Sequence, residues 1–311
     1  MLGLAGGPTA SVVRGGSIAS STPIRSRTAS PGRVTAISSA RPWGPDHEVA
    51  VGTLAEAPRG RVVFEYEDAF LAMGIQISPW KLPARPDLIE HEDRGFGPLF
   101  GVFDDSLPDG WGLLLMDRHF RRQGRQPRGI SALERLLYLG SGTMGALTYH
   151  PAAEDRGPAT TVDPSVLADE AERVLQGADV EELPALRRLG GSPGGARPKV
   201  LVGVRGDEVM AGVDDLPAGW EHWLVKFSSL PDAIDAGPFE YAYMRMAELA
   251  GLEVPVHRLF AGGRFFGVRR FDRSVPNRRV HMHSLGGLIQ SNFRVPSCDY
   301  DMLLRVARAH S

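Results

Sequence analysis

The spacing of apolar residues changes several times along the chain, and each change marks an element. Val49, Val51 and Leu54 alternate with small residues, Val62–Tyr66 alternates again, and Pro58-Arg59-Gly60 lies between the two runs. A period of two broken by Pro and Gly predicts an antiparallel strand pair, with order expected to begin near Glu48. A polar, proline-rich stretch over 78–97 reads as loop. Leu114, Leu115 and Phe120 then fall at helical spacing and predict a helix from about Trp111 to Arg122. Ser131 is placed to cap a second helix through Leu139, and Gly140–Gly145 turns into a strand, Ala146–Tyr149. After a linker at 151–162, Asp163-Pro164 sets a cap and a first-turn proline for a helix to Gln176, which Gly177 ends. A short helix is expected around Glu181–Leu189.

The second half alternates strand and helix signals. Val200–Val204 reads as a strand, and Arg205-Gly206-Asp207 as the turn of a hairpin. Glu221–Phe227 is another strand. Phe239, Ala242, Tyr243, Met246 and Ala250 recur at helical spacing before Gly251. Strands Val256–Phe260 and Arg264–Phe271 follow, joined by Ala261-Gly262-Gly263, and Cys298–Arg305 opens a last helix with Asp299 as cap. The mixture predicts an α+β fold, with one domain over 46–152 and a second over 163–311.

Composition changes this picture mainly at the N-terminus. Residues 1–45 hold Arg14, Arg25, Arg27, Arg33 and Arg41, many Ser, Thr, Gly and Pro, and no acid precedes Asp46. Such a segment is expected to be a disordered extension, in preference to a targeting peptide. Over the whole chain 35 Lys+Arg stand against 37 Asp+Glu, a net charge of −2, which gives no reason for nucleic acid to bind the whole surface. The one cysteine, Cys298, forbids an intramolecular disulfide and fits a reducing cytoplasm. No apolar run approaches the roughly 20 residues that cross a bilayer.

Candidate chemistry concentrates after residue 189. Gly190-Gly191-Ser192-Pro193-Gly194-Gly195-Ala196-Arg197-Pro198-Lys199 is glycine-rich, ends in lysine and runs into a strand. Glycines let backbone N–H groups approach phosphate oxygens, and a lysine adds point charge. The spacing is neither the Walker pattern nor G-x-G-x-x-G. Lys226 near the end of its strand and Glu240 on the next helix, with Glu248 as the alternative, complete the arrangement of a protein-kinase N-lobe. There the lysine grips the α/β-phosphates and the glutamate holds the lysine. Phe271-Asp272-Arg273 sits where a kinase hinge would lie. Arg118, Arg121, Arg122, Arg125 and Arg128 are read as complementing a helix dipole rather than as a phosphate patch. His281, His283 and Cys298 lack the second ligand pair of a zinc site, and no metal ligands are assigned.

These segments, taken in order, resemble the HipA toxins, serine/threonine kinases of bacterial type II toxin–antitoxin systems. The resemblance runs from about residue 48 onward. It rests on Val51-Gly52-Thr53-Leu54, on Gly101-Val102-Phe103-Asp104-Asp105-Ser106-Leu107-Pro108-Asp109-Gly110-Trp111-Gly112 and on Met144-Gly145-Ala146-Leu147. Further on it rests on Ser192–Lys199, Leu224-Val225-Lys226, Val268-Arg269-Arg270-Phe271-Asp272-Arg273 and His283-Ser284-Leu285-Gly286-Gly287-Leu288. It implies an α+β protein with a HipA N-terminal subdomain, a protein-kinase-like N-lobe and an incomplete all-α C-lobe. It also implies ATP and Mg2+ as cofactors. Gly194, Gly195, Ala196, Arg197 and Lys199 would cover ATP, Lys226 would hold its phosphates, and Phe271 would lie at the adenine. Ser192 would be the regulatory autophosphorylation site. The implied partners are a helix-turn-helix antitoxin of the HipB type, operator DNA reached through it, and an aminoacyl-tRNA synthetase as substrate.

One departure from the family stands out. Its catalytic Asp-x-His-x-x-Asn loop is missing, and beyond the hinge only Asp299 and Asp301 remain as aspartates on the way to His310-Ser311. The chain is therefore expected to be a C-terminally truncated form that does not transfer phosphate alone. A non-catalytic protein binding the antitoxin or operator complex is the alternative.

Overall fold

The computed structural model describes residues 33–38, 48–93, 95–152, 160–177, 194–211, 215–227, 235–274, 277–292, 294–295 and 297–309. The first alternating runs become β2 (Val49–Ala57) and β3 (Arg61–Tyr66), joined by a turn in which Arg59 and Gly60 adopt φ of 69° and 67°. They belong to a five-stranded sheet of order β4-β3-β2-β1-β5, with β4 at Ile89–Glu90 and β5 at Leu147–His150.

Strand β1 (Arg33–Ser38) corrects the expected extension over 1–45. It lies inside the sheet, antiparallel to both β2 and β5, and Val34 and Ala36 are buried. Only Arg33-Val34-Thr35-Ala36 shows the alternation locally, and its arginine- and serine-rich flanks dilute that signal. Pairing on both sides, rather than local propensity, makes the strand.

The sheet buries an aromatic layer beneath α1 (Asp68–Leu71), α2 (Gly101–Asp104) and α4 (Ala132–Leu139). Phe64 packs edge-on to Tyr66 at 4.7 Å between centroids, and the fully buried Tyr149 hydroxyl shares a 2.7 Å hydrogen bond with Ser106. As expected, Ser131 starts α4. Its hydroxyl accepts from the Glu134 amide while the Glu134 carboxylate accepts from the Ser131 amide.

The second sheet has the order β10-β11-β9-β7-β8-β6. Its strands are β6 (Thr160–Val162), β7 (Lys199–Arg205), β8 (Glu208–Ala211), β9 (Glu221–Lys226), β10 (His257–Phe260) and β11 (Phe265–Arg269). Helix α5 (Pro164–Leu175) covers it with Leu167, Ala171 and Val174. So does α3 (Gly110–Arg122), through Trp111 and Leu115, although α3 belongs by sequence to the first domain. Arg118 fastens the pair by donating to the Val174 carbonyl at 2.7 Å. The helix expected around Glu181–Leu189 lies outside the described residues.

Helix α6 (Ala236–Leu249) runs along the sheet with its apolar stripe facing outward. Phe239, Tyr243 and Met246 are all exposed, and only Gly237 is buried. The approach is made by backbone: a Cβ at Gly237 would sit 2.4 Å from the Arg264 carbonyl oxygen. A hairpin of β12 (Arg273–Ser274) and β13 (Arg278–Arg279), then α7 (Leu285–Ile289) and α8 (Tyr300–Ala309), complete the described chain. Asp299 caps α8 as expected, accepting from the Met302 amide.

Two joins tie the halves together, and both use segments singled out above. Asp272 is fully buried between Arg270 and Arg273, at 2.6 and 2.9 Å, and also accepts from the Gly145 amide. Arg273 donates in turn to the carbonyls of Thr143 and Gly145. Burial raises the Asp272 carboxyl, but the hydrogen bonds and charges of Arg270 and Arg273 more than offset it, leaving it below the ordinary carboxylate value. At the second join Asp105 accepts from Ser284 through its amide and hydroxyl and bonds the His283 ring, while Gly101 crosses Gly287 so closely that a Cβ would lie 1.8 Å from the Gly287 oxygen.

Two outcomes follow for stability. Asp272→Ala leaves buried guanidinium groups uncompensated and should cost about 3–5 kcal/mol, read from the urea midpoint. Gly101→Ala should cost about 1–3 kcal/mol by overpacking in the same assay, without removing any hydrogen bond.

Candidate functional site

The last residue of β9, Lys226, faces the first residue of β7, Lys199, across an antiparallel register. Two lysines side by side repel, so the fold must supply anions or use the positive charge. Glu240 on α6 supplies one: its Oε2 accepts from the Lys226 ammonium at 2.6 Å, and its Oε1 lies 3.6 Å from Arg197. Glu248, the sequence alternative, pairs with Arg245 of its own helix instead. The Lys226 ammonium also lies 5.7 Å from the centre of the Phe266 ring.

Lys199 is held at the glycine-rich turn, donating to the Gly194 carbonyl at 2.6 Å. Burial, and then the charge of Lys226, push its ammonium below the ordinary lysine value, against the pull of Asp109 and Glu240. Gly195 has φ of 106°, a backbone conformation that favours glycine, and its Cα lies close to the Lys199 ammonium. Gly194, Gly195, Ala196 and Arg197 thus gather beside both lysines. The turn also touches the first domain: the Gly195 amide donates to the Asp109 carboxylate, and the Trp111 amide donates to the Gly195 carbonyl at 3.2 Å. Sequence reasoning missed Asp109, which reads as an ordinary cap for α3.

Other candidates fall elsewhere. Phe271 is 65% exposed in the turn after β11, between the buried Arg270 and Asp272. Ser192 lies outside the described residues. His281 bonds the Ile77 carbonyl at 2.9 Å, and His283 lies between Asp105 and Ser78, so both imidazoles serve the seam between domains. Among the described residues no three His, Cys, Asp or Glu side chains converge as a metal site. Of the basic cluster, Arg118 bonds α5 and Arg125 pairs with Glu134.

A cavity of about 860 Å³ is a neighbour of the lysine cluster, not its container. It meets the cluster at Asp109 and Gly194, but Lys199, Lys226 and Glu240 do not line it. Leu107, Leu113, Ile130 and Met144 give it apolar walls, and Glu56, Asp104, Asp105, Asp109, Arg135 and Arg294 bring charge of both signs to its lining. The lysine cluster, with Lys199, Lys226 and Arg197 around one glutamate, is the more cationic of the two places.

Asp104 carries a pH signature. Burial, and then the neighbouring Asp105, raise its carboxyl from 3.8 to about 6, with Arg294 opposing. The folded state then holds a proton that the unfolded chain has lost, so stability falls as pH rises through that window. Asp104→Asn should stabilise the protein by roughly 1–3 kcal/mol more at pH 7 than at pH 4, seen by thermal denaturation at both values.

Comparison with known families gives two matches in succession. Residues 47–150 match the HipA N-terminal domain, and residues 191–311 match the HipA-like C-terminal domain. No curated protein matches the chain. The first match covers the aromatic sheet domain with Asp105 and Asp109, and the second covers the glycine-rich turn, both lysines, Glu240 and the Asp272 cluster. The chain belongs to the HipA family, whose members are toxin–antitoxin components with a HipB-type partner.

Proposed function

We infer that this chain is the ATP-gripping part of a HipA-type serine/threonine kinase. The observation that carries the reading is the 2.6 Å pair between Lys226 on a strand and Glu240 on the following helix, beside a glycine-rich turn. A protein kinase uses those three parts to hold the triphosphate: the turn over it, the lysine on its α/β-phosphates, and the glutamate on the lysine. Here β7 and β8 form the hairpin, β9 carries the lysine and α6 the glutamate. Lys199 and Arg197 add charge for a tri-anion or tetra-anion, and the backbone of Gly195 and Ala196 is stripped of bulk where phosphate would lie. Phe271, exposed after β11, is available to an adenine ring.

Phosphate transfer needs an aspartate at the acceptor hydroxyl and further ligands on magnesium. Asp299 caps α8 and Asp301 pairs with Arg305 at 2.7 Å, so each serves its own helix. The 311 residues contain no Asp-x-His-x-x-Asn, and what is proposed for them is binding of ATP. In this reading the helix-turn-helix antitoxin carries the operator contact, an aminoacyl-tRNA synthetase accepts the phosphate in the family's reaction, and Ser192 is its regulatory site. The compartment is the cytoplasm. No described helix is long and apolar enough to cross a membrane.

Calorimetric titration of the purified chain with Mg-ATP tests the assignment. Saturable binding is expected, weakened about tenfold to hundredfold by Lys226→Ala, since hydrogen bonds to charged groups are worth about 1.5–3 kcal/mol. Glu248→Gln should leave it unchanged. A folded protein that ignores ATP, or a Lys226→Ala variant that binds as the parent does, rejects the reading.

A further inference from the structure

We propose that Asp109 of the N-terminal domain is an internal anion that holds the glycine-rich turn closed and must yield when a phosphate enters. The inference rests on the nucleotide reading for its ligand, but not for the contact itself.

Three observations converge on this residue. Asp109 occupies the N-cap position of α3, where a carboxylate ordinarily accepts from an amide of the first helical turn. It makes no such bond. Its Oδ1 instead accepts from the Gly195 amide, 86 residues away in sequence. The amide of Trp111, in the first turn of α3, is turned outward as well and donates to the Gly195 carbonyl. Both backbone groups of one glycine are therefore taken by one helix end, and the helix gives up its own cap to do it.

The backbone is shaped for this contact. Gly110 has φ of 40°, and a Cβ there would lie 2.6 Å from the Ala196 Cα, so any larger residue would push the turn away. A Cβ at Gly194 would come within 3.3 Å of the Asp109 carboxylate. Pro-Asp-Gly-Trp on one side and Gly-Gly-Ala on the other are complementary halves of one joint.

The chemistry of the joint is that of an anion site already filled. A glycine amide beside lysines is the donor that a phosphate oxygen would seek, and here a carboxylate oxygen has it. Asp109 also acts electrostatically on Lys199, the same ammonium that would face the phosphates. A polyphosphate entering the cluster meets a fixed negative charge and a turn whose amide is committed elsewhere. Asp109 is thus a positioning residue with an inhibitory sense, and it puts the occupancy of the nucleotide site under the control of the N-terminal domain.

The test compares the parent chain with Asp109→Asn, which keeps the size and an acceptor but loses the charge, and with Asp109→Ala, which loses both. Hydrogen exchange at the 194–197 peptide reads the joint without any ligand. Exchange at Gly195 should accelerate at least tenfold in Asp109→Ala and by less in Asp109→Asn. ATP and inorganic pyrophosphate are then titrated in parallel. Asp109→Asn should bind both about threefold to tenfold more tightly than the parent, with far-ultraviolet circular dichroism confirming the fold. Unchanged exchange overturns the proposal whatever the titrations show, and so does equal or weaker anion binding by Asp109→Asn. If ATP fails throughout while pyrophosphate gains and exchange accelerates, Asp109 stands as the internal anion and the nucleotide assignment falls.

Discussion

The position of the whole site depends on one buried carboxylate. Asp272 neutralises Arg270 and Arg273 in a space closed to water, and through them gathers the carbonyls of Thr143 and Gly145. That fixes where the chain leaves β11. Strand β11 pairs with β9 in a register that sets Phe266 against Lys226, and β9 sets Lys226 against Lys199. A charge cluster at the domain seam is thereby connected, through two strand pairings, to the direction in which the lysines point. Such a cluster gives little net stability over an apolar packing of equal volume, but it accepts only one arrangement of its partners.

The lysine cluster shows the opposite economy of charge. Lys226 has its glutamate, and Arg197 lies near the same carboxylate, yet Lys199 stands beside them where burial disfavours its charge. A fold selected for stability alone would have little reason to put cross-strand cations there. The proposed nucleotide would give that proximity a purpose, and the Asp109 carboxylate already accepts from the Gly195 amide beside the cluster.

Much of this was legible in the sequence because it rests on local periodicity. The β2–β3 pair, α4 with Ser131 and Glu134, and α5 behind Asp163-Pro164 all follow from spacing and cap chemistry, whereas the Lys226–Glu240 pair came from the protein-kinase arrangement, with Glu248 left as the alternative. Strand β1 was not legible, since its signal is four residues long and its partners lie far along the chain. The helix of α6 was legible but the outward direction of its stripe was not: periodicity reveals that a helix has an apolar face, not which way it points. Asp109, Asp105 and Asp272 lie within motifs that carry the family resemblance, where the sequence assigns them no individual role. In the structure two of them bind the domains together, and the third bonds the glycine-rich turn, an arrangement that spacing within either motif cannot encode.

Helix α3 carries a consequence for how the protein comes apart. By sequence it lies within the span of the HipA N-terminal domain, yet Trp111 and Leu115 are part of the core beneath the second sheet. A boundary drawn from family matches is therefore not a boundary in cooperativity. The first region cannot lose α3 without opening the hydrophobic interior of the second, so unfolding of the one should carry the other with it.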